Sequence, residues 1–84
     1  MTKKTAFTQW LDTLVEEKGY DPEALFEVEG ASGTNWMPLA VVLDAIKQTS
    51  PQEQKAIQTV LVRLDFMNRD CLGYFKHLAQ ALAI

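Results

Sequence analysis

The stretch FEVEGASGTNWMP, Phe26 to Pro38, decides the fold. Its first four residues alternate apolar and charged, the period of a half-buried strand. Just upstream, Asp21-Pro22-Glu23 supplies a helix N-cap, a first-turn proline and a first-turn acid. A strand needs a neighbour to pair with, and no second segment alternates convincingly. The sequence therefore predicts a short helix over 22–28. Gly30 would end it at positive φ, Gly33 would allow a turn, and Thr34 or Asn35 would cap the next helix.

The glycines of this stretch also invite a ligand-loop reading, which the cations refuse. A phosphate loop needs a lysine and a hydroxyl residue after its second glycine, but Gly33 leads into Thr34-Asn35-Trp36 and the next lysine is Lys47. Gly30-Ala31-Ser32-Gly33 satisfies the G-x-x-G of some single-strand RNA modules, yet Glu27 and Glu29 stand beside it with no lysine or arginine. Punctuation between two helices is the expected role. Trp36 is expected to cover one end of the core or, as a residue type enriched at interface anchors, to meet a partner.

Outward from this stretch the chain reads as helix. Phe7, Trp10, Leu11, Leu14 and Val15 recur at helical spacing over 5–18, and Gly19 stands where a left-handed C-terminal cap is wanted, with Tyr20 folding back. Lys3, Lys4, Glu16 and Glu17 oppose the dipole of this helix, so packing must hold it. Pro38 falls in the first turn of a helix over 37–48 with Leu39, Val42, Leu43 and Ile46 inward. Ser50-Pro51-Gln52-Glu53 is a capping box opening a helix over 51–67. That helix carries Ile57, Val60, Leu61 and Leu64 on one face and a second apolar strip of Val62 and Phe66, so it is central or meets a partner chain. Asp70 caps a last helix over 71–82, weakened by Gly73 in its first turn by about 1 kcal/mol relative to alanine. The expected fold is an all-α, single-domain bundle over 1–84, of four main helices plus one short one.

Composition limits what such a domain does. The chain has 84 residues, 48% of them apolar, and a net charge of −3, so it folds around one core rather than staying disordered. Its longest apolar run, Leu39 to Leu43, is far short of the roughly 20 residues that span a bilayer. Gln9, Asp12, Glu16 and Glu17 interrupt any signal-peptide core, and the single Cys71 has no partner within the chain. A cytoplasmic protein without membrane contact is expected. Between positions 12 and 29, seven carboxylates face only Lys18, a local balance of −6, which repels phosphate backbones and suits a basic partner.

No constellation of catalytic or metal-binding residues emerges. Cys71 and His77 lie about 120° apart around one helix. One histidine and one cysteine make no metal cluster, and no calcium-loop run is present. No catalytic, cofactor-binding or metal residue is assigned, and no enzyme activity is expected. The expected function is protein–protein interaction, in an accessory protein of bacterial or mobile-element origin, through an apolar and acidic surface. Candidate interface residues are Trp36, Val62, Phe66, Glu23, Glu27 and Glu29, with an unknown, basic protein or a second copy of the chain as partner. The alternative is a nucleic-acid-linked regulator that uses 37–48 and 51–67 as a helix-turn-helix with Lys55 and Arg63 on phosphates. Nucleic acid is disfavoured by the acidic charge and the few cations of the presumed recognition helix.

Overall fold

The computed structural model describes residues 5–30 and 33–82. Along them run α1 (Ala6–Lys18), β1 (Leu25–Gly30), β2 (Gly33–Pro38), α2 (Leu39–Lys47), α3 (Pro51–Phe66) and α4 (Cys71–Ala81). The two strands form an antiparallel hairpin, so the expected all-α bundle is corrected to a mixed α/β fold of four helices and a two-stranded sheet. Lys3, Lys4, Ala31 and Ser32, which carried part of the sequence reading, lie outside the described residues.

The short helix over 22–28 does not form. Asp21 does cap, its carboxylate accepting from the Glu23 amide at 3.0 Å, but the Ala24 amide closes a single turn on the Asp21 carbonyl at 3.0 Å. From Leu25 the chain is extended, and its alternation becomes the real period: Phe26 and Val28 are buried while Leu25, Glu27 and Glu29 are exposed. A seven-residue helix has few internal hydrogen bonds and is marginal in water. The hairpin instead pairs six residues with six, from Leu25 opposite Pro38 to Gly30 opposite Gly33.

What the sequence hid is the second strand. In β2 only Met37 and Pro38 are even half-buried, so no alternation marks it. Backbone bonding to β1 makes it a strand. Positive φ falls at Gly33 (115°) and not at Gly30, and Thr34 and Asn35 belong to β2 rather than capping a helix.

The next helix starts at Leu39, two residues later than expected, and Pro38 at its cap position offers no side-chain bond. The orphan amides of its first turn are met from across the chain. Leu39 N–H donates to the Ala24 carbonyl at 3.3 Å, and Ala40 N–H to the Pro22 carbonyl at 2.7 Å. The turn before the hairpin thus closes onto the helix after it, fixing the base of the hairpin.

Elsewhere the local signals hold. Gly19 is left-handed (φ 73°), with Gly19 N–H on the Glu16 carbonyl and Tyr20 N–H on the Val15 carbonyl, both at 3.1 Å, the paired bonds of a Schellman cap. Ser50 Oγ caps the helix by accepting from the Glu53 amide at 3.2 Å, but it also donates to the Glu53 carboxylate at 3.2 Å, so the carboxylate meets the Ser50 hydroxyl instead of the Ser50 amide that a capping box uses. Asp70 accepts from the Leu72 amide at 2.9 Å to open α4.

The core gathers on the inner side of the hairpin. Phe75 of α4, fully buried, is its largest wholly enclosed side chain, joined by Leu11, Leu39, Val42, Ile46 and Leu61. α4 packs on β1 and α2 on β2, and the Gln80 amide reaches the Glu29 carbonyl at 2.6 Å. No buried polar side chain interrupts this core among the described residues. Among the described residues, no helix is long and apolar enough to cross a membrane.

Candidate functional site

Strand alternation sends every second residue of the hairpin outward, and the register fixes which ones meet. Leu25, Glu27 and Glu29 of β1 share the outer face with Thr34, Trp36 and Pro38 of β2. Trp36 lies directly opposite Glu27, a separation of roughly 5 Å between Cβ atoms, with Leu25 and Glu29 at the diagonal positions. The indole is 65% exposed and Leu25 is 59% exposed. Trp36 therefore does not cover the core. It stands at the centre of an open face, with two carboxylates and an aliphatic side chain around it.

The expected interface residues separate into two groups. Glu27, Glu29 and Trp36 come together on this face, and Glu23 is exposed in the turn that leads into it. Val62 and Phe66 lie elsewhere, one helical turn apart on α3, exposed by 50% and 88%. Leu25 was missed because a helix over 22–28 gives it no face in common with Trp36.

The position of α3 answers the question its two apolar strips raised. Only Ile57 and Leu61 are buried, with Val60 and Leu64 partly so, and the second strip is left open. The helix is peripheral rather than central. Beside Val62 a shallow groove of about 220 Å³ runs between α1 and α3, walled by Trp10, Leu14 and Asp65 among others. An ion pair of Lys18 with Asp65 crosses between the same helices, and the hydrogen bond that Lys18 donates to Asp65 raises the lysine's pKa.

The remaining reactive groups are quiet. Cys71 is fully buried, and desolvation pushes its thiol pKa up despite the nearby Lys18 charge. His77 is exposed, with its ring 6.2 Å from that of Tyr74. Tyr20 donates to the Asp70 carboxylate at 2.9 Å and meets Phe75 edge-on at 6.5 Å, so burial first and this bond second raise its pKa. Lys55 and Arg63 are both exposed on α3 but point about 80° apart around it. Among the described residues, no three His, Cys, Asp or Glu side chains gather as a metal site would need.

Comparison with protein-family models, curated proteins and solved structures finds no match for this chain.

Proposed function

We propose that this chain is a small protein-interaction module that presents the outer face of its hairpin to a basic segment of another protein. The observation that carries the reading is Trp36, 65% exposed and directly opposite Glu27. Burying the rest of such an indole contributes about 2 kcal/mol, and a tryptophan in a partly apolar surround is a common anchor of binding energy. A lysine or arginine laid on the ring gains a cation–π contact of about 1 kcal/mol, with Glu27 and Glu29 within reach of the same cation. Charge supports the choice of partner, since residues 19–46 contain Asp21, Glu23, Glu27, Glu29 and Asp44 and not one lysine or arginine. The role is one of binding alone and uses no catalytic group.

A titration followed by amide-proton NMR tests it, because the Trp36 indole reports on its own surroundings. The probe is a short extended peptide alternating arginine and valine, with an otherwise identical glutamate–valine peptide as control. The basic peptide is expected to shift the Trp36 indole resonance and the β1 and β2 amides, and to bind more weakly as salt rises. Trp36→Ala is expected to weaken binding about tenfold or more, and Glu27→Lys with Glu29→Lys to abolish it. An indole resonance that stays still up to about 1 mM peptide, or moves equally with the acidic peptide, would overturn the proposal.

A further inference from the structure

The open strip of α3 has its own order, independent of the hairpin. Lys55, Thr59, Val62 and Phe66 are all exposed and follow one another at intervals of four, three and four residues. At about 100° per residue they fall within an arc of roughly 60°, on the opposite side of the helix from Ile57, Leu61 and Leu64. Four-three-four is the spacing of a helix-pairing seam, and it reads the same from either end. In an antiparallel pair of identical helices, Phe66 then faces Lys55 of the other copy and Val62 faces Thr59.

We infer that α3 is the seam of a twofold-symmetric dimer in which this strip packs antiparallel against the same strip of a second copy. A twofold interface must be self-complementary, and in this register the one cation of the strip meets an aromatic ring rather than its own copy. The apolar side chains, Val62 and Phe66, occupy one half and Thr59 and the Lys55 stem the other, so each half covers its opposite. The Lys55 ammonium of one copy lies over the Phe66 ring of its partner, a cation–π position. No residue of the strip faces a like charge in this register. The parallel arrangement lacks this fit, because it sets Lys55 against Lys55. The seam is about 17 Å long, and the groove between α1 and α3 extends its apolar floor past Val62.

Sedimentation equilibrium of the intact chain tests the seam. A reversible monomer–dimer equilibrium is expected between roughly 10 μM and 1 mM. Phe66→Glu and Val62→Glu should each weaken it at least tenfold, while circular dichroism shows them folded, since both side chains are exposed. The decisive variant is Thr59→Lys combined with Val62→Glu in one chain, which places lysine opposite glutamate twice across the axis and should restore the dimer lost in Val62→Glu alone. Trp36→Ala should leave association unchanged. A chain that is monomeric throughout, a dimer indifferent to Phe66→Glu, or a double variant without rescue would each overturn the inference.

Discussion

Two glycines of this chain respond to the same substitution with opposite signs. Gly33 has a φ of 115° at the first position of β2, a conformation L side chains rarely adopt, even though a Cβ built there meets nothing within 4 Å. Gly33→Ala is therefore expected to destabilise the fold by about 1–3 kcal/mol through backbone strain alone. Gly73 lies in the first turn of α4 with ordinary helical backbone, and a Cβ there also meets open space. No close helix approach requires its lack of a side chain. Gly73→Ala should stabilise by about 0.5–1 kcal/mol, raising the unfolding midpoint by several degrees in a domain of this size. Urea titrations of the two variants measure both, and equal signs would contradict the assigned conformations.

At the scale of elements, the hairpin depends on what lies beneath it. A two-stranded sheet is marginal by itself in water, and here Phe26, 7% exposed, and Val28 seat it on the helices. Phe26→Ala is expected to cost about 3 kcal/mol. Hydrogen exchange should then show the amides of β1 and β2 losing protection before those of α3. The same dependence explains what the sequence could reveal. Helices α1, α3 and α4 were legible to within a residue or two because capping signals at Gly19, Ser50 and Asp70 act locally. The alternation at Phe26 to Glu29 was legible too, but β2 shows no pattern of its own. It exists because β1 supplies its backbone partners and the turn at 21–24 caps α2 across space, relations no single stretch records. Of the candidate site, the residue types were readable. Their division between a hairpin face and an α3 strip was not, because register decides it.

At the scale of the whole molecule, the pKa shifts of Lys18, Tyr20, Cys71 and Tyr74 point one way. Burial raises the pKa values of Cys71, Tyr20 and Tyr74, with the Asp70 bond adding to Tyr20, and the bond to Asp65 raises that of Lys18. Each folded-state value lies above its unfolded one, so the associated stability is fully present below the unfolded pKa and is lost as pH rises through the folded pKa. Thermal unfolding followed against pH should therefore show the midpoint falling above about pH 9, where cysteine, tyrosine and lysine begin to titrate. Tyr20→Phe should flatten the upper part of that fall, and a decline as steep as in the parent chain would exclude Tyr20 from it. The outer face of the hairpin has a last consequence, for solubility. A two-stranded sheet leaves two open edges, which in many proteins seed fibril growth by strand addition. Were hairpins of this chain to stack edge to edge, Glu27 and Glu29 would recur on every second strand, at roughly 10 Å intervals, and Pro38 would interrupt the ladder for want of an amide proton. The carboxylates that frame Trp36 would thus also disfavour polymerisation through the sheet.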